Sequence, residues 1–197
     1  MNRVARGRVP RIPDCLPHRG NAFSYVLARL LLWLAGWRIA GEFPPRPKMV
    51  AIVAPHTSNW DFIIGIIAVF ALRIHVHFLA KHTLFNPWMG WMMRWFGGTP
   101  VNREAPHGLV PQAVEAIDRA ASVFLAITPA GTRSSTKPWK SGFYRIAVEA
   151  RVPIFPVIFD GPQRAIRFLP AFEPSGDYEA DLPRLKALYE GVQGLRP

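Results

Sequence analysis

Residues 49–80 read MVAIVAPHTSNWDFIIGIIAVFALRIHVHFLA, a pattern of two apolar runs separated by a polar loop and a helix. The run at 49–54 has the length of a buried strand, and residues 60–72 are long and apolar enough for a buried helix. The run at 75–80 predicts a second strand. A strand, a helix and a strand in this order predict one unit of a parallel sheet.

The same alternation continues along the chain. Further strands are predicted at 99–101, 123–127, 154–159 and around 166–169. Further helices are predicted at 87–96, with Asn86 as the cap before it, at 108–120, at 142–151 and in a C-terminal segment that carries Leu182, Leu185, Leu188 and Val192. The chain of 197 residues can bury one sizeable core. We therefore predict a single α/β domain with a largely parallel central sheet flanked by helices.

The N-terminal quarter is basic and then strongly apolar. Residues 1–50 hold nine Lys or Arg and two acidic residues. Residues 1–20 predict an unstructured or surface-bound arm, and residues 22–39 predict a helix. Its uninterrupted apolar stretch is far shorter than the roughly 20 residues of a membrane span, which favours an amphipathic helix at the membrane interface. The alternative is a helix that packs on its own domain. We place the boundary between 1–47 and a globular domain at 48–197.

The composition limits the partners. A net charge of +11 attracts polyanions, namely nucleic acid, an anionic membrane or acidic substrates. The tryptophans cluster in apolar stretches, 33–37 and 88–96, and are not interleaved with charges, so a membrane surface is favoured over nucleic acid. Residues 88–95 place three tryptophans on one helical face, which suits an acyl-chain groove, a bilayer interface or a core helix equally. One cysteine excludes an intramolecular disulfide and a cysteine zinc cluster.

The loop after the first predicted strand carries candidate catalytic residues. In APHTSNWD, residues 54–61, Ser58 can cap the following helix, which turns Asp61 back towards His56. A carboxylate bonded to one imidazole nitrogen leaves the other free to accept a proton from a hydroxyl, as a general base does. The alternative interpretation is a helix capping box beside a histidine that serves only the loop.

Basic residues follow the other predicted strands. Lys81, Arg103, Arg133 and Lys140 each lie in such a loop, where they can converge on a phosphate or on the phosphates of coenzyme A. Taken singly, a basic residue of this kind is more often a solvated surface charge. Residues 128–134, TPAGTRS, combine a turn with small residues that let the backbone approach a ligand.

Four blocks in order resemble the glycerolphosphate and lysophospholipid acyltransferase family. The blocks are H-x4-D at 56–61, a glycine-bearing segment ending in arginine at 87–103, PAGTRS at 129–134 and VPIFPV at 152–157. The resemblance identifies 48–197 as an acyltransferase domain. It implies transfer of a fatty acyl group from acyl-coenzyme A or acyl carrier protein to a lipid or lysophospholipid hydroxyl, with no cofactor and no metal.

The resemblance also implies roles for residues. His56 and Asp61 match the general-base pair. The predicted substrate-binding residues are Lys81, Arg103, Gly131, Thr132, Arg133, Ser134 and Lys140. The implied partners are a membrane lipid surface and the acyl thioester donor, and the implied location is the cytoplasmic face of the cell membrane, as a peripheral or monotopic protein.

One position departs from the family pattern. Ala130 stands where the family has a glutamate that contributes to acceptor binding. A methyl group accepts no hydrogen bond, and a charged hydrogen bond is worth about 1.5 to 3 kcal/mol. The alternative function is therefore a catalytically weakened member that acts as a thioesterase or as a membrane-bound binding protein.

Overall fold

The computed structural model describes residues 9–101, 108–130 and 138–195. The strands are β1 Arg38–Ala40, β2 Lys48–Ala54, β3 Val76–Lys81, β4 Gly98–Val101, β5 Val123–Ile127, β6 Ile154–Asp160 and β7 Ala165–Phe168. The helices are α1 Ala22–Leu34, α2 Asn59–Leu72, α3 Gly90–Trp95, α4 Leu109–Arg119, α5 Gly142–Glu149 and α6 Tyr178–Ala187, with a 3₁₀ turn at His82–Leu84. Within these ranges the strands form one sheet in the order β1-β7-β6-β2-β5-β3-β4.

The sheet is parallel except at one pair of strands. β2 lies at its centre and pairs in parallel with β5 on one side and β6 on the other. β7 follows β6 after a tight turn and is antiparallel to it. A strand that is covered on both faces is apolar along most of its length, which is why β2 and β6 are apolar apart from Lys48 at the start of β2 and Asp160 at the end of β6. The predicted α/β fold with a largely parallel sheet is confirmed.

Helices cover both faces of the sheet. Met49 and Ala51 of β2 face a core shared with α1 and α2, whereas Val50 and Ile52 face a second core shared with α4, α5 and Leu185 of α6. The period-two alternation of a strand sends successive side chains to opposite faces. The result is a three-layer domain in which the loops after β2, β3, β4 and β5 leave the same edge of the sheet.

In the N-terminal region, one predicted helix differs from the observed structure. The helix predicted to run to residue 39 ends at Leu34, and Gly36, at φ 74°, turns the chain into β1, which pairs in parallel with β7. A left-handed φ suits glycine, and it ends the helix. Leu16, Trp37 and Phe43 are buried in the core with α1 and α2, so part of the predicted arm contributes to the domain. The boundary between 1–47 and 48–197 stays a prediction.

Two other predicted helices are shorter than expected. Before α3, Asn86 Oδ1 accepts hydrogen bonds from the backbone N–H groups of Trp88 and Met89, so residues 86–89 form the capping turn and the helix begins at Gly90. α6 ends at Ala187, so Leu188 and Val192 lie beyond it. None of the helices in the described ranges has the length and apolar content to cross a membrane.

Candidate active site

The loop between β2 and α2 is held by a capping box. Ser58 has an extended backbone, and its Oγ accepts a hydrogen bond from the N–H of Trp60 at 3.2 Å. In return, Oδ2 of Asp61 accepts the N–H of Ser58 at 2.8 Å. These bonds satisfy backbone donors that the first turn of a helix leaves without partners. The cap holds Asp61 in the first turn of α2 with its carboxylate turned towards the loop.

The same carboxylate oxygen contacts His56. Nδ1 of His56 lies 3.2 Å from Oδ2 of Asp61, which also accepts the N–H of Thr57 at 2.6 Å. The Asp61 side chain is 2% exposed, whereas that of His56 is 19% exposed. A proton on Nδ1 bonded to the carboxylate leaves Nε2 as the basic nitrogen. The capping box and the His–Asp contact are therefore both present, and one oxygen serves both.

The surroundings of Asp61 keep its carboxylate ionised. Burial by itself raises the pKa of this group, but hydrogen bonds from His56, Ser58 and Thr57 outweigh burial and hold the pKa below its ordinary value. A carboxylate that accepts several N–H bonds is stabilised in its charged form. Asp61 is therefore an anion at neutral pH, which is the state that can orient a neutral imidazole and stabilise an imidazolium.

His56 and Asp61 line an apolar cavity of about 660 Å³ at the sheet edge where β2 ends, and Leu72, Ile74 and Val76 line it at the opposite edge. The cavity extends between the sheet and α2 and reaches α3. Its walls are almost entirely aliphatic and aromatic, as shown by Phe62, Gly65, Val69, Phe78, Met93, Phe96, Phe124, Phe159 and Phe168. Pockets for apolar ligands have such a lining with a few polar groups at one place. The polar side chains in the lining are those of His56, Asp61, Thr83 and Thr128.

The structure describes two of the predicted substrate-binding residues, Lys81 and Lys140. Lys81 ends β3, at the same sheet edge as His56, and Lys140 has an exposed side chain while its backbone N–H donates to the carbonyl of Pro129 at 2.9 Å. Arg103 and the segment Gly131, Thr132, Arg133 and Ser134 lie outside the described residues. Ala130, next to that segment, follows the end of β5. The binding roles of all these residues stay predictions.

Two features of the site have no signal in the sequence. Gly194 lies against the loop of His56, since a Cβ at this position meets Cγ2 of Thr57 at 2.6 Å. Gly65 lies in the cavity wall, where a Cβ finds only Cζ of Phe159 within 4 Å, at 3.8 Å. Both depend on contacts between segments far apart in the chain. Among the described residues, no group of three or more His, Cys, Asp or Glu side chains is arranged to hold a metal ion.

A general-base pair at the end of an apolar cavity suits an α/β enzyme whose substrate has a long apolar tail and reacts at the end of that tail. Comparison with known proteins agrees with this class. The family described as Acyltransferase matches residues 38–160, and this chain belongs to the acyltransferase family. The family predicted from the four blocks is thus confirmed.

Two relatives that this chain resembles carry the same protein name. The chain is 31% identical over 153 residues to the 1-acyl-sn-glycerol-3-phosphate acyltransferase of Streptococcus pneumoniae, covering 73% of this chain and 56% of the relative. It is 29% identical over 156 residues to the enzyme of that name from Cocos nucifera, covering 76% and 50%. The chain thus spans about half the length of these relatives.

A solved structure shows the same fold. The crystal structure of the 1-acyl-sn-glycerophosphate acyltransferase from Thermotoga maritima superposes with a TM-score of 0.59 at 17% identity, covering 87% of this chain and 80% of that chain. At this identity the likeness concerns the fold. It places this three-layer domain among acyltransferase folds.

Proposed function

We propose that this protein transfers a fatty acyl group from an acyl thioester to the hydroxyl of a lysophospholipid or related lipid. The observation that carries the proposal is the 3.2 Å contact between Nδ1 of His56 and Oδ2 of Asp61 at the end of an apolar cavity. The names of the relatives support the same reaction class.

The reaction needs one base and no covalent enzyme intermediate. Nε2 of His56 takes the proton of the acceptor hydroxyl, and the resulting oxygen nucleophile attacks the carbonyl carbon of the thioester. Asp61 stabilises the imidazolium that forms. The tetrahedral intermediate then collapses, the C–S bond breaks, and the imidazolium returns its proton to the leaving thiolate. The products are an ester and a free thiol.

The apolar cavity suits the acyl chain. A hydrocarbon chain needs no hydrogen bonds from this lining. Moving the chain from water into the cavity is favourable by about 0.8 kcal/mol per buried methylene. His56 and Asp61 occupy one end, so a chain lying in the cavity brings its carbonyl carbon to the imidazole. The thioester head, whether coenzyme A or acyl carrier protein, stays outside with the solvent.

The acceptor is proposed to be held by basic residues that lie at or after the ends of β3, β4 and β5 in the sequence. Lys81, Arg103, Arg133 and Lys140 are the candidates, with backbone groups of Gly131, Thr132 and Ser134. Parallel strands that end at one edge support this grouping, because β3, β4 and β5 run in the direction of β2. Phosphate recognition by guanidinium and ammonium groups is favourable.

We also propose that the protein acts at the cytoplasmic face of the cell membrane, with α1 lying on the bilayer. Ala28 and Leu32 of α1 are buried in the domain core, and the opposite side of the helix is apolar as well. The exposed residues are Phe23, Val26, Leu27, Leu30, Leu31, Trp33 and Leu34. Apart from Ser24, Tyr25 and Arg29, α1 is apolar on both its inner and its outer side. A helix of this kind is buried in protein or in lipid, and the basic N-terminal region is complementary to anionic lipids.

The test is an assay of thiol release from acyl-coenzyme A and from acyl carrier protein with a panel of lysophospholipid acceptors. The wild-type chain is expected to release thiol only when an acceptor is present, and the acyl product is an ester. His56→Ala is expected to lose about 10²- to 10⁴-fold in turnover while unfolding at the same temperature. An exposed histidine, His18, provides the matched control as His18→Ala. Equal turnover of the His56 variant and the wild type rejects the proposal.

Ala130 favours a second candidate, a thioesterase in which water replaces the lipid hydroxyl. Free fatty acid as the product, independent of any acceptor, identifies this activity. Ala130→Glu restores the acidic residue of the family pattern. Under the transferase proposal, this variant is expected to shift acceptor preference towards glycerols that bear a phosphate.

A further inference from the structure

The cavity reaches the surface beside α3. Most of its lining residues are buried or half-buried, but Thr83, Leu84 and Met89 are exposed. All three belong to the segment between the end of β3 and the start of α3. The most exposed residues of a cavity lining mark the place where the cavity meets solvent. The apolar cavity thus has a mouth at residues 83–89.

The rim of this mouth carries tryptophans that point away from the protein. Trp88 is 87% exposed and Trp91 is 68% exposed, while Met93 of the same segment is buried and lines the cavity. A short helix with one side in the cavity and large aromatic side chains on the other does not serve the core. Tryptophan is the residue most suited to the boundary between lipid headgroups and acyl chains.

Basic side chains lie on the same surface. The Arg94 guanidinium lies 5.4 Å from the ring centre of Phe85, and that of Arg19 lies 4.3 Å from the ring centre of Trp95. Trp95 in turn contacts Phe70 of α2. Cations beside exposed indoles are complementary to an anionic bilayer, whereas they oppose a second copy of this strongly basic chain.

We propose that Leu84, Trp88, Met89 and Trp91 form a lip that inserts into an anionic bilayer, so that an acyl chain passes from the membrane directly into the cavity. This lip is a membrane contact separate from the exposed face of α1. The inference rests on the proposed acyl transfer for its purpose, but its insertion into lipid is measured independently of activity.

Insertion is tested with a polarity-sensitive fluorophore on single cysteines. Cys15→Ser removes the one native thiol, and Trp88→Cys, Leu34→Cys and Glu190→Cys then place the fluorophore on the lip, on α1 and on the exposed turn after α6. Vesicles of phosphatidylcholine with phosphatidylglycerol are expected to shift the emission to the blue at positions 88 and 34, and to leave position 190 unchanged.

The lip is overturned if position 88 shows no shift, or if it shows one without vesicles. A shift at position 34 without one at 88 confines membrane contact to α1. A shift at 88 that depends on protein concentration in the absence of vesicles assigns the surface to a second copy of the chain. Both results leave acyl transfer itself untouched, so failure of the lip and failure of the proposed function are distinguishable.

The purpose of the lip is tested by turnover. Turnover is measured with long-chain donors in vesicles and with short-chain, water-soluble donors, and the ratio of the two is compared. The double variant Trp88→Ser, Trp91→Ser is expected to lower this ratio about tenfold. The reason is that burying one large apolar side chain is worth at least one factor of ten. Trp33→Ser on α1 is the matched control, expected to weaken vesicle binding with a smaller change in that ratio. An unchanged ratio in the double variant refutes entry through the lip.

Discussion

Oδ2 of Asp61 lies 3.2 Å from Nδ1 of His56 and at the same time closes the capping box of α2. Stability of the helix and orientation of the base thus depend on one atom. The two roles can still be separated by substitution, because the side chain of Ser58 takes part only in the cap.

Separating the cap from the base gives the first prediction. Ser58→Ala removes the acceptor for the N–H of Trp60 and is expected to cost about 1 kcal/mol of unfolding free energy while retaining most of the turnover. Asp61→Asn keeps an oxygen for the cap but replaces the anion that stabilises the imidazolium, so turnover is expected to fall by about 10² or more. Denaturant unfolding and thiol release measure the two effects. A large activity loss in Ser58→Ala with normal activity in Asp61→Asn contradicts the assignment.

Gly65 gives a prediction about chain length. A leucine here extends into the cavity, because the space around the glycine holds only the ring edge of Phe159. Gly65→Leu is expected to reduce kcat/KM for long acyl donors relative to short ones, by about fourfold for each methylene that no longer fits. Gly65→Ala is the control, since its methyl group makes an ordinary contact. Competition between donors of different lengths is the measurement, and equal losses at all lengths speak against a chain in this cavity.

Gly194 gives a prediction about the positioning of the motif loop. Gly194→Ala places a methyl group against Oγ1 and Cγ2 of Thr57, whose N–H donates to Asp61, so the loop has to shift. Turnover is expected to fall at least tenfold, because small displacements of a general base are costly. Gly142→Ala has open space at its Cβ and is expected to behave as wild type. Rescue of Gly194→Ala by Thr57→Ala, which removes both crowded atoms, distinguishes crowding from general destabilisation when the double variant is compared with Thr57→Ala alone.

His75 and His77 give a prediction about pH and stability. Burial lowers the pKa of His75, with further lowering by His77 and Arg19, and burial and Arg19 lower the pKa of His77. The unfolded chain takes up protons at these residues near pH 6.5, whereas the folded chain does so only at lower pH. The unfolding free energy is therefore expected to fall as the pH drops below about 6.5.

Denaturant unfolding at a series of pH values measures this slope. The double variant His75→Gln, His77→Gln is expected to flatten it, and His18→Gln, at an exposed position, is expected to leave it as in the wild type. A slope that persists in the double variant assigns the pH dependence to other groups.

Much of the fold follows from local pattern. β5 was predicted at its observed bounds, and β2 and α2 within one residue of theirs, because continuous apolar runs and a capping residue are visible in one sequence. The helix predicted to residue 39 was wrong because Gly36 ends α1 and Arg38–Ala40 pair with β7, more than a hundred residues away. Strand pairing at that separation leaves no periodic trace in a short segment.

The sequence by itself determined the α/β fold class, the order of the elements from β2 onwards, and the His56 and Asp61 pair, because each depends on residues close together in the chain. Only the tertiary structure decided that α2, α3 and the sheet enclose a cavity beside His56, that Gly194 lies against Thr57, and that the mouth of the cavity opens among tryptophans. The physical reason is that volumes and contacts between distant segments arise from packing. Periodicity predicts which side of a helix is apolar, and packing determines whether that side meets a core, a cavity or a membrane.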